Sequence, residues 1–124
     1  MIIDYYIPTY MKYGPESKGW SYGIPSDFST LRWELPIDPP DQLELALASV
    51  EYYYNQEVNQ WKESRVANYP RFADQLDQIY HEGVDAWKAS IQAVKDAYPK
   101  QVADPAELER RKQEVREFLE GGAA

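Results

Sequence analysis

Cysteine is absent from this chain of 124 residues, and histidine occurs once, at His81. The first absence excludes disulfides, thiolate metal sites and cysteine nucleophiles, and it leaves the redox compartment unread. The second leaves little material for a Ser-His-Asp triad or a zinc site built on paired histidines. Positive charge is also in deficit: 13 Lys and Arg against 21 Asp and Glu give a formal charge of −8. Binding a phosphate backbone requires clustered basic residues, whereas those of this chain are dispersed among acids at helical spacing. Neither nucleic acid nor an anionic membrane is expected as a partner. No apolar run approaches membrane-spanning length, and Met1-Ile2-Ile3-Asp4-Tyr5-Tyr6 lacks the basic start and apolar run of a signal peptide. A soluble protein, made in a cytoplasm and not exported by a signal peptide, is the expectation. The length fits one domain, or one domain plus an arm.

Proline and aromatic residues, by contrast, are abundant and unevenly placed. Six of the nine prolines fall within residues 1–40, namely Pro8, Pro15, Pro25, Pro36, Pro39 and Pro40, which precludes a long helix or a central strand there. Tyr5, Tyr6, Tyr10, Tyr13, Trp20, Tyr22, Phe28 and Trp33 crowd into the same stretch. Disordered tails are poor in such residues, so this segment, expected as an extended aromatic and proline-rich arm, has surface to bury. It either folds back on its own helices or docks on a partner with its Tyr and Trp side chains as anchors.

The remainder reads as helix. Asp38-Pro39-Pro40-Asp41 offers two candidate caps, and Glu44 follows Asp41 at capping-box spacing. Leu43, Leu47, Val50, Tyr54, Val58 and Trp61 then run at 3.6-residue periodicity, which predicts a helix over about 41–67. Tyr69, preceding Pro70, is biased away from helical geometry. A second helix is predicted over about 72–98, antiparallel to the first, with Pro99 ending it. Leu76, Tyr80, Val84, Trp87, Ile91, Val94 and Tyr98 form its bulky stripe. One residue earlier, Gly83, Ala86, Ser90, Ala93 and Ala97 form a parallel stripe of small side chains. A glycine in mid-helix costs about 1 kcal/mol relative to alanine, so Gly83 suggests a neighbour held too close for a methyl group. Asp104-Pro105-Ala106-Glu107 announces a short third helix over about 105–120, and Gly121-Gly122 stops it. The expected fold is therefore mainly α: an arm (1–40), a helical domain (41–120) built on a hairpin, and a frayed tail (121–124).

Catalytic patterns are sparse. A zincin-like motif would need a second histidine where the chain has Asp85. Asp77, His81 and Asp85 share i, i+4 spacing, but carboxylates so arranged are common on solvated helices, and an ion-paired cluster is the favoured account. The serines lack a nucleophile-elbow context, and no glycine-rich phosphate loop is present. An enzyme is not expected, nor any cofactor or metal.

The stretch Tyr69-Pro70, Asp74-Gln75-Leu76-Asp77-Gln78-Ile79-Tyr80-His81-Glu82-Gly83-Val84-Asp85-Ala86-Trp87-Lys88, Ile91, Val94-Lys95 and Tyr98-Pro99-Lys100 resembles a segment of small tail-module and tail-fibre-associated proteins of tailed bacteriophages. Phages of cyanobacteria are prominent among them. Arg71-Phe72-Ala73 and the first 40 residues depart from that pattern. The resemblance implies a non-enzymatic virion or assembly protein, acting in the host cytoplasm during assembly, with the virion tail as an alternative destination. The implied partner is a tail-fibre or baseplate protein. Tyr5, Tyr6, Tyr10, Trp20 and Trp33 of the arm, together with Gly83, Ala86 and Ala93 of the small stripe, are the expected contact residues. A homo-oligomer built through the same stripes is the second reading, and a metal-dependent enzyme at His81 the third.

Overall fold

The first 40 residues, expected to be extended, are folded in the computed structural model, which describes residues 1–121. Helix α1 (Tyr6–Tyr13) begins where the Asp4 carboxylate accepts the Tyr6 N–H at 2.9 Å. Pro8 falls in its first turn, where a missing N–H goes unnoticed. Gly14, at φ 83°, ends it. Strands β1 (Trp20–Tyr22) and β2 (Leu31–Trp33) then pair antiparallel, with Trp20 opposite Trp33 and Tyr22 opposite Leu31. The prolines do restrict this region to short elements, but its aromatic side chains find partners within the chain.

The chain is mainly helical, as expected. Helices α2 (Gln42–Asn68), α3 (Phe72–Glu82), α4 (Val84–Ala97) and α5 (Pro105–Gly121) follow the sheet. Of the two candidate caps for α2, Asp41 is used: its carboxylate accepts the Glu44 N–H at 3.0 Å. The Glu44 side chain does not complete a capping box; it pairs with Lys12 of α1 instead. At α5, Asp104 accepts the Ala106 N–H at 3.0 Å and Pro105 occupies the first helical position. Residues 122–124 of the expected frayed tail lie outside the described residues.

The predicted helix over 72–98 is interrupted. Gly83 adopts φ 92° and ψ 169°, closing α3 and opening α4. Only glycine populates that region without strain. The periodicity of the bulky stripe runs straight through the break, which is why spacing alone suggested one helix.

By packing, the chain divides into two compact units, Met1–Asn55 with the segment from Asp104, and Gln56–Ala103. A boundary at residue 40 therefore does not separate an arm from a domain. In the first unit Ile3, Tyr5, Trp20 and Tyr22 share one core with Leu45 and Ala46 of α2 and Val115 of α5. Burial of these side chains offsets the ordering entropy that would otherwise leave the N-terminal stretch loose. Ring pairs at 4.9–5.9 Å fix its geometry: Tyr5 with Phe28, Tyr6 with Trp20, Tyr13 with Trp33 and Trp20 with Tyr22. Thr9, fully buried, donates to the Tyr5 carbonyl at 2.6 Å and bonds the Tyr22 hydroxyl at 2.9 Å. The Tyr54 hydroxyl receives the Asp104 N–H at 2.7 Å, tying α2 to the start of α5.

The second unit is built differently. Helices α3 and α4 fold back on each other about Gly83. The Trp87 indole N–H donates to the Gln75 side-chain oxygen at 3.0 Å, and the Gln78 amide donates to the Ser90 hydroxyl at 2.7 Å. Arg65 clasps the end of α4, its Nε donating to the Tyr98 carbonyl at 2.9 Å while its guanidinium lies 4.6 Å from the Trp61 ring centroid. A cation against carbonyls at a helix C-terminus is favourably placed. None of residues 56–103 is buried.

Candidate interaction surface

The eight residues expected at a partner interface scatter across both units. Tyr5 and Trp20, each 3% exposed, belong to the core of the first unit. They serve the chain's own fold, which corrects their assignment as anchors for a partner. Tyr6 and Trp33 are half-buried against that core, and the Trp33 indole N–H donates to the Ile37 carbonyl at 2.8 Å. Only Tyr10, 47% exposed, presents a ring to solvent.

The small-residue stripe is corrected as well. A methyl group built on Gly83 would have open space within 4 Å, so no close neighbour explains the glycine. Its positive φ does. The turn ends the stripe's continuity: Ala86, half-buried on α4, offers its carbonyl to Gln78 at 3.4 Å, and Ala93 is exposed.

What does face solvent is the start of the bulky stripe, with Phe72 one turn before it. Phe72, Leu76 and Tyr80 stand at successive i, i+4 positions on α3 and are 75%, 51% and 84% exposed. Helical geometry aligns such residues on one face, with the Gln75, Gln78 and Ile79 side facing toward α4. Beyond Gly83, Val84 of the same stripe is still exposed, whereas Trp87, Ile91, Val94 and Tyr98 are half-buried on α4. One sequence stripe thus has a bare part around the break and a packed part further along α4. Periodicity marked Leu76 and Tyr80 as apolar-face residues; Phe72 entered only as a departure from the phage-like pattern. No spacing rule signalled that their face would lack cover.

The face lies in an acidic setting. Helix α3 bears Asp74, Asp77 and Glu82 and no lysine or arginine. Asp74 is paired with Arg71 at 3.3 Å, whereas Asp77 and Glu82 have no ion pair among the described residues. His81 makes an edge contact with the Tyr80 ring, centroids 4.9 Å apart. Asp77 and His81 sit on α3 while Asp85 lies past the turn on α4, so the three do not share one helical face as the unbroken spacing implied. Among the described residues no group of three or more potential ligands is placed to hold a metal ion.

Elsewhere the shifted titrations reflect local pairing. Tyr53 is pushed up to about 12 by its hydrogen bond to the Asp4 carboxylate at 2.5 Å. Glu107 is pulled down to about 2 by hydrogen bonds from Arg110 and Arg111 at 2.7 and 3.0 Å. A concavity of about 440 Å³ beside the sheet, lined by Glu16, Trp20, Arg32 and Glu34 among others, contains no histidine. No protein-family model, curated protein or solved structure matches the chain.

Proposed function

We propose that this protein is a non-enzymatic assembly component of a bacteriophage tail, an adaptor or tail-fibre chaperone that is held by a larger fibre or baseplate protein through residues 56–103. One observation carries the reading. The first unit buries its own core, but the second has no fully buried residue and leaves a row of large apolar side chains on α3 in water. Phe72, Leu76 and Tyr80 together expose on the order of 400 Å² of side chain, the size of the largest apolar patch on an ordinary monomer, and such patches are commonly functional. That area approaches the apolar share of one partner's surface in a standard interface, about 800 Å² of which somewhat over half is non-polar. The tail setting is supported by the phage-like residues of 69–100, which include this helix. The N-terminal residues have a supporting part: they build the core of the first unit.

Co-expression with tail-fibre and baseplate proteins, followed by native mass spectrometry, tests the reading. A defined heteromeric complex that Leu76→Glu abolishes is the expected result. A chain that stays alone with every tail protein supplied contradicts it.

A further inference from the structure

We infer that the face of α3 made by Phe72, Leu76 and Tyr80 docks an amphipathic helix whose apolar stripe is flanked by lysine or arginine. This rests on the reading that a second polypeptide covers residues 56–103, and it adds what that polypeptide must carry. The stripe has the i, i+4, i+8 spacing that a facing helix reads with its own anchors. Its edge is acidic: Asp77 neighbours Tyr80 at i, i+3 on the helix surface and has no cation of this chain against it among the described residues. A partner supplying cations at that edge would find complementary charge and the exposed rings of Phe72 and Tyr80, aromatic groups of the kind that attracts ammonium and guanidinium. A second copy of this chain meets the opposite situation. Two α3 helices packed face to face would bring the Asp77 carboxylate of each to the same apolar edge, and α3 carries no lysine or arginine to offset it. Like-charge juxtaposition of that kind selects against a partner.

The test uses the full chain and two synthetic amphipathic peptides with one leucine stripe, flanked by lysine in one and by glutamate in the other. Binding is read by fluorescence anisotropy, with sedimentation velocity on the protein alone. The lysine peptide should bind and weaken as salt is raised, the glutamate peptide should bind at least about tenfold less tightly, and Leu76→Glu should remove most of the affinity. Tyr80→Glu, at the most exposed position of the stripe, serves as an independent check, with an unchanged far-UV circular dichroism spectrum and melting temperature confirming the fold. Equal binding of both peptides, still lost in Leu76→Glu, would overturn the charge argument while leaving the docking reading intact. Binding of neither peptide, or binding indifferent to both substitutions, would overturn the assignment of the face. Self-association that Leu76→Glu abolishes would hand the face to a second copy and overturn the inference.

Discussion

Gly83→Ala should open the α3–α4 hairpin toward one continuous helix. At φ 92° and ψ 169° an alanine is strained by about 1–3 kcal/mol. In a straight helix the same alanine would instead gain about 1 kcal/mol over glycine. The two effects add to roughly 2–4 kcal/mol in favour of the straight form, a shift of about 30- to 1,000-fold in the equilibrium. Against this stand the Trp87–Gln75 and Gln78–Ser90 hydrogen bonds, each contributing about 0.5–1.5 kcal/mol net, and the half-buried contacts around them. The sizes are comparable, so a substantial straight population is expected. No steric term competes, because the added methyl meets open space. Since the chain has no cysteine, spin labels at Ala73→Cys and Ala93→Cys report the change cleanly by electron–electron double resonance. A continuous helix sets those positions roughly 30 Å apart along its axis, and the folded hairpin sets them much closer. Alanine at 83 with an unchanged distance distribution and unchanged melting temperature would refute the reasoning. D-Alanine, at ease with positive φ, should preserve the hairpin.

Leu45, 1% exposed in the core of the first unit, should cost about 2–5 kcal/mol when truncated to alanine, read from the urea midpoint. Tyr53 should titrate near pH 12, later than an ordinary tyrosine, by tyrosinate absorbance, and Asp4→Asn should bring it down. Its folded pKa is raised, so the stability it contributes is full below pH 10 and lost as pH rises through about 12. Glu107 works with the opposite sign: its pKa is lowered to about 2, so its contribution is present above about pH 4.5 and fades as pH falls toward 2. Glu107→Gln should flatten the acid limb of the stability profile, by a small amount because the pair is solvent-screened. Deleting residues 1–40 should abolish the cooperative unfolding of the first unit, since it removes Ile3, Tyr5, Trp20 and Tyr22 from the core.

The helix starts were legible because their signals are local: an aspartate, a proline and a following helical period suffice, as at Asp104-Pro105. The choice between Asp38 and Asp41 was not, because either could present a carboxylate to the first turn. Gly83 shows the same limit from the other side. Its presence in mid-pattern was visible and costly, but the uninterrupted apolar spacing kept the helix whole in the reading, so a close neighbour was inferred where a positive φ is the reason. The aromatics of residues 1–40 announced that they would be buried without announcing against what. Tyr5 and Trp20 turn inward because α2 and α5 supply Leu45, Ala46 and Val115, residues distant in the chain. Trp61 is a small remainder: its indole N–H is enclosed with no acceptor among the described residues, and its ring lies against the Arg65 guanidinium and the Lys62 ammonium.

Amide hydrogen exchange on the chain, alone and after addition of the tail-fibre and baseplate proteins proposed as partners, puts the central claim to the most direct test. Protection gained across Phe72–Glu82, with the core amides of α1, β1 and β2 unchanged, is the predicted result. Protection gained only in residues 1–55, with α3 exchanging as freely as before, would contradict it.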